Sequence, residues 1–166
     1  MLIENMTPQD SIALLERTGL GRLACSHEGQ PYITPITFAH DADYLYSFST
    51  LGQKIVWMRA NPLVCLQADE VISRQQWTSV VVSGRYEELS SSSEHADARE
   101  RAHQLLKKRA AWWEPAYVKT LLDGKERPLE TLYFRIRIHQ ISGHKATPDR
   151  NAQEPSKTWL RRMLGT

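Results

Sequence analysis

Along Leu132 to His139, the apolar residues Leu132, Phe134, Ile136 and Ile138 alternate strictly with Tyr133, Arg135, Arg137 and His139. A period of two is that of a strand with one buried face. Similar patterns predict strands near Leu20–Ser26, Tyr32–Phe38 and Tyr44–Phe48. The turns between them, at His27–Gln30 and His40–Asp43, are short enough to imply antiparallel neighbours. Leu63–Ala68 is a continuous apolar run that reads as a buried strand. Trp77–Leu89 predicts another, with Val80, Val82 and Tyr86 on one face and Ser79, Val81 and Ser83 on the other. Gly84 within it signals a bulge, a bend or the close approach of something flat. Ser142-Gly143 closes the last strand.

The helical period appears in fewer places. Thr7 caps, and Pro8 opens, a short helix carrying Ile12, Leu15 and Arg17. Leu51, Ile55 and Met58 recur at helical spacing directly after the Tyr44 strand, and Asn61-Pro62 ends the run. Thr50 and Gln53 have the spacing of a capping box at its start, as do Ser91 and Glu94 for a long helix through Arg101, Leu105, Leu106 and Arg109 to Trp113. Glu114-Pro115 breaks that helix and begins a shorter one, ended by Asp123-Gly124. From Lys145 to Lys157 the period is lost, and the terminal TWLRRMLGT forms an amphipathic turn or two. The organisation expected is a domain over 1–144 and a tail over 145–166. About six strands with inserted helices predict a mainly β fold, a small antiparallel barrel with helical caps.

Composition narrows the function classes. At 166 residues and 41% hydrophobic content the chain supports one real core. With 21 basic and 19 acidic residues the net charge is +2, too small for non-specific nucleic-acid affinity to be its main business. Cys25 and Cys65 fall in segments that read as buried strands and lack metal-ligand spacing, as expected of small thiols in a reducing compartment. MLIENMTPQD has no basic segment followed by an apolar run, and no stretch is long enough to span a bilayer, so a cytoplasmic protein without membrane partners is expected. No GxSxG, HExxH, P-loop or GxGxxG motif occurs, and the six histidines are scattered. The five tryptophans exceed what one core usually needs, and indole suits interfaces and flat ligands.

One charge is misplaced. Lys54 sits in the first turn of the central helix, where the helix dipole is positive. Either it points into water from an ordinary capped helix, or it joins the Ser49 and Thr50 hydroxyls and free backbone N–H groups in holding a phosphate. Pro35 removes a backbone donor from its strand, which places that position at an edge or beside a ligand.

GRLACSHEGQPYITPITFAHDADYLYSFSTLGQKIVWMRANPLVCLQAD, followed by WTSVVVSGRYEEL and FRIRIHQISGHK, resembles the flavin-binding split-barrel proteins related to pyridoxamine 5′-phosphate oxidase. It is most similar to the branch that includes the nitroimidazole-resistance proteins. The resemblance implies an antiparallel split barrel, a homodimer with FMN at the subunit interface, and an oxidoreductase acting on a small flat substrate with a nicotinamide reductant. The alternative it leaves is a non-catalytic flavin or haem carrier for storage, sensing or delivery. By the same resemblance Ile36, Thr37 and Phe38 contact the flavin ring, and Ser49, Thr50, Gln53 and Lys54 the phosphate. The Trp77–Val82 strand, with Trp77, Ser79 and Val80, approaches from the facing subunit. The R-x-x-L-L-K segment of the dedicated oxidases is absent where this chain has Ile33–Phe38.

Overall fold

A computed structural model describes residues 1–109, 120–122, 125–127 and 131–149 of the chain. Strands β1 (Leu2–Asn5), β2 (Leu20–His27), β3 (Gln30–Asp41), β4 (Tyr44–Ser49), β5 (Leu63–Ser73), β6 (Gln76–Leu89) and β9 (Leu132–Thr147) form one antiparallel sheet in the order β1-β9-β4-β3-β2-β5-β6. β6 pairs with β9 as well, from Trp77↔Ala146 to Leu89↔Tyr133, and so closes six strands into a ring. The other edge of β9 is shared, with β4 along Leu132–Arg137 and β1 along His144–Thr147. The fold is the expected split barrel.

Inward positions make a continuous core of Leu23, Phe38, Leu45, Leu66, Val80, Val82, Phe134 and Ile136. Two helices plug it: α1 (Pro8–Arg17) through Leu14 and Leu15, and α2 (Gln53–Ala60) through Ile55 and Met58. The third helix, α3 (Ala96–Lys107), lies outside the barrel, where Ala102 and Leu106 cover Ala39, Tyr46 and Leu89. β4 is thus buried on both faces, with Leu45, Ser47 and Ser49 inward and Tyr46 under α3.

Several boundaries differ from the sequence expectation. α1 is capped by Thr7 as expected, but its buried face is Ser11, Leu14 and Leu15, not Ile12 and Arg17. β5 alternates, burying Val64, Leu66 and Ala68 and exposing Leu63 and Cys65, because only its inner face meets the core. Cys65 is therefore exposed while Cys25 is buried. The serine-rich start of α3 makes no capping box: a 3-10 turn over Ser93–His95 precedes the helix, and Ser90 Oγ bonds Ser92 Oγ and His95 Nδ1, both at 2.9 Å. Thr120–Leu122 is a strand (β7) paired with Lys125–Arg127 (β8), where a short helix was expected. The helix extension to Trp113 and most of the tail lie outside the described residues. β9 itself runs on through Lys145 to Thr147, because Gly143 is not its end but the place where α1 crosses it. A Cβ there would lie 2.5 Å from Ser11 Oγ.

Gly84 performs the role its position suggested. The β6–β9 register shifts between Ser83 and Gly84, so His139 is the extra residue of a bulge. A Cβ on Gly84 would run into the Arg137 carbonyl oxygen and lie 2.7 Å from Ile136 Cγ2. Because backbone cannot retreat without breaking the seam that closes the barrel, Gly84→Ala is expected to lower stability by about 1–3 kcal/mol, read from denaturant unfolding. An unchanged midpoint would mean that the strands do not approach this closely.

Candidate functional site

The corner between β4 and α2 is built differently from a capping box. The helix starts at Gln53 with Gly52 as its cap, and no side chain accepts from its first N–H groups. Thr50 is two residues too early because the chain bends through Leu51 and Gly52 before it coils, leaving Leu51 65% exposed. Ser49, buried, donates its hydroxyl to the Thr50 carbonyl at 2.8 Å. The first helical bonds run from Ile55 and Val56 N–H to the Gly52 carbonyl, at 3.0 and 3.1 Å. The N–H groups of Gln53 and Lys54 lie ahead of that ladder. No acidic residue occupies the first turn.

Lys54 is half-buried, and burial pushes its pKa down. No described residue forms an ion pair or hydrogen bond with it. The charge felt most is the Cys25 thiol, which draws the lysine back up slightly while its own pKa is raised by burial. A desolvated ammonium without a counter-ion is costly, and it stands here beside unsatisfied helix N–H groups. The donor set therefore suits a phosphate ester: one cation, backbone donors and a nearby hydroxyl, with no carboxylate in the helix's first turn to repel it.

β3 leads away from this corner. Ser47 Oγ donates to the Thr37 carbonyl at 2.7 Å, tying the end of β4 to the middle of β3. Pro35 lies where β3 pairs only with β2, since β4 joins it from Phe38 onward, so its missing donor is needed by no ladder. Strand alternation separates the residues grouped from sequence. Thr37 faces outward, whereas Ile36 and Phe38 point into the core and offer a ligand only their backbone. On β6, Trp77 and Ser79 face outward and Val80 inward.

Cross-strand partners carry the outer face from Thr37 and Leu20 through Arg22 and Gln67 to Val81, and Ser79 opposite Asp69 and Trp77 opposite Val71 continue it along β6. Gln67 Nε2 donates to Ser79 Oγ at 3.0 Å, and Arg22 pairs with Asp69 at 2.5 Å. Ser49, Thr50, Gln53 and Lys54 thus lie together at one corner of one protomer, and Thr37 is tied to the same strand through the bond from Ser47. Trp77 and Ser79 stand three strand pairings from β3.

Two supporting elements escaped the sequence reading. Ser47 was passed over, although it sits in phase with Leu45 on the inward side of β4. Arg59, Glu88 and Tyr86 form a network behind α2: the guanidinium grips the carboxylate with two 2.7 Å bonds, and the Tyr86 hydroxyl donates to it at 2.8 Å. Arg59 holds the Glu88 carboxyl below the usual range, and burial with Glu88 pushes the Tyr86 phenol far up. No local pattern marks a pair 29 residues apart. Trp57 packs edge-on to Tyr32 at 5.8 Å and against His27 at 5.9 Å, fixing α2 on the β2–β3 hairpin. Trp112, Trp113 and Trp159 lie outside the described residues. Among the described residues no helix is long and apolar enough to cross a membrane.

Comparison with known proteins shows the family and the fold. The family model described as pyridoxamine 5′-phosphate oxidase matches residues 7–145. An uncharacterised protein of Rhizobium meliloti strain 1021 is 40% identical over 146 residues, 88% of this chain and 97% of that one. The crystal structure of an FAD-binding protein from Mesorhizobium loti is 41% identical, covers 89% of this chain and 100% of its own, and superposes with a TM-score of 0.75. A Bacteroides thetaiotaomicron VPI-5482 protein provisionally assigned to 5-nitroimidazole antibiotic resistance shares the fold at 16% identity, covering 87% of this chain and 89% of its own, with a TM-score of 0.62.

Proposed function

Since the chain belongs to the pyridoxamine 5′-phosphate oxidase family, we propose that it is a flavoprotein that binds FMN by its phosphate at the β4–α2 corner. The observation that carries this is the half-buried Lys54 ammonium, which no described residue pairs, in the first turn at the positive end of a helix. The 41% identical FAD-binding relative supports the choice of a flavin.

When bound, the flavin supplies hydride and electron transfer, and the protein supplies position and surroundings. Lys54, with the Gln53 and Lys54 N–H groups, holds the phosphate. The Thr37 region, braced by Ser47, borders the ring. In a homodimer, Trp77 and Ser79 reach the same groove from the partner subunit. Leu20, Ile33, Leu63, Val71 and Val81 are all exposed on the outward face, an apolar surface that a second copy would cover. The activity proposed is oxidoreduction of a small flat substrate with a nicotinamide reductant.

Protein purified without added cofactor is expected to be yellow, to release FMN or a close relative on denaturation, and to oxidise NADH or NADPH with an electron acceptor. It is expected to sediment as a dimer. Flavin binding without turnover by any reductant and acceptor pair would make it a carrier or sensor. Colourless protein that takes up no flavin on titration would end the flavin reading.

A further inference from the structure

On the outer face of the seam that closes the barrel, two neighbouring rungs are charged differently. Glu87↔Arg135 is an ordinary cross-strand ion pair, in which Arg135 Nε donates to Glu87 Oε2 at 2.7 Å. The next rung on the same face sets Arg85 against Arg137. Both are exposed, and no described residue forms an ion pair or hydrogen bond with either. Directly opposite residues on paired strands have Cβ atoms about 5 Å apart, and like charges there repel.

The flanking strands do not relieve this. Leu63 of β5 stands opposite Arg85, and Tyr44 of β4 opposite Arg137, its ring already carrying the Arg135 guanidinium at 4.1 Å. Asp43 meets β9 through its backbone, its carbonyl accepting from the Ile138 N–H at 2.9 Å, and its carboxylate pairs with neither arginine. The bulge beyond Gly84 adds the exposed His139 two residues past Arg137. Where a carboxylate is at hand, as at Glu87, this surface uses it. At Arg85 and Arg137 two positive charges are left for something outside the chain.

We infer that Arg85 and Arg137 form an anion site that takes the dianionic phosphate of a small phosphate monoester. Each guanidinium offers a planar fork that fits phosphate oxygens, and two such charges match a dianion. A carboxylate or phosphodiester brings one charge and leaves the repulsion half answered. The site is separate from the Lys54 corner: Tyr44 begins β4 and Ser49 ends it, about 16 Å further along the strand. It therefore serves a ligand other than a flavin held at that corner, and it stands whether or not the flavin reading does.

The test is calorimetric titration of the full chain with phenyl phosphate, with and without saturating FMN. One phenyl phosphate per chain is expected to bind, equally well in both conditions and about tenfold more tightly than benzoate or dimethyl phosphate. Arg85→Gln and Arg137→Gln should each weaken it about tenfold. Neither should lower the ligand-free melting temperature, since each removes one of two repelling charges. Arg137→Lys, which keeps the charge without the fork, should lose less than Arg137→Gln. No saturable binding, equal binding of the three anions, undiminished affinity in both glutamine variants, or displacement by FMN overturns the site. Loss of a dimer in either variant, with no phenyl phosphate bound by the parent, also overturns it and gives the two arginines to carboxylates of a second copy.

Discussion

Lys54→Ala is expected to weaken FMN binding by about 1.5–3 kcal/mol, roughly a ten- to hundredfold rise in Kd, because it removes a charge-assisted contact to the phosphate. Stability is expected to move the other way. In the flavin-free protein the ammonium is half-buried with no counter-ion among the described residues, so its removal should leave the melting temperature unchanged or higher. A residue that merely completes the fold would lower both quantities, so fluorescence titration and thermal denaturation together separate the roles. The pH dependence has a definite sign. With the folded pKa depressed, the unfolded chain binds more protons as pH rises through the folded value, and flavin-free stability climbs there. Phosphate binding needs the charged form, so FMN affinity should fall over the same alkaline range in the parent protein, and Lys54→Ala should lack that limb. Unchanged FMN affinity in the variant would remove the phosphate assignment.

Phe38→Ala should be the most damaging core substitution adjacent to the site, costing about 3–5 kcal/mol of stability in denaturant unfolding. Phe38 is 0% exposed, and its ring lies against Gly21, where an added Cβ would approach Phe38 Cε1 to 3.1 Å. The walls around it are paired strands, which cannot collapse into the cavity as a loose helix end can, so the upper part of that range is expected. Its neighbour provides the control. Thr37 points outward, and Thr37→Ala should change stability by no more than about 0.5 kcal/mol. If both substitutions cost the same, β3 is not in the register described here, and the assignment of Thr37 to the flavin side fails with it.

The residue pattern carried much of this architecture. The alternation in β3, β4, β6 and β9, the Thr7 cap and the Ile55/Met58 stripe of α2 are local signals, and each led to the right kind of element near the right place. The awkward lysine was equally legible, since its position in the first turn follows from spacing alone. Where local signals misled, a competing contact decided. The Thr50–Gln53 capping box gave way to an extended Leu51-Gly52 bend, and the apolar run at Leu63–Ala68 became a strand with one face in the core and the other on the surface.

What the sequence by itself determined is the period of each segment and the place of Lys54 within its helix. Period depends on a few residues' own dihedral preferences and on which of them are apolar. Only the tertiary structure decided that β6 closes on β9, that Ile36, Phe38 and Val80 face away from Thr37, Trp77 and Ser79, and that no carboxylate among the described residues pairs with Lys54. Those outcomes depend on partners far apart in the chain, such as Ser49 and Leu132 across the β4–β9 seam. Which distant strands meet is chosen by the burial of the whole core, and Arg17, Arg22, Arg59 and Arg101 engage Glu70, Asp69, Glu88 and Asp41 in ion pairs that leave none of these carboxylates to Lys54.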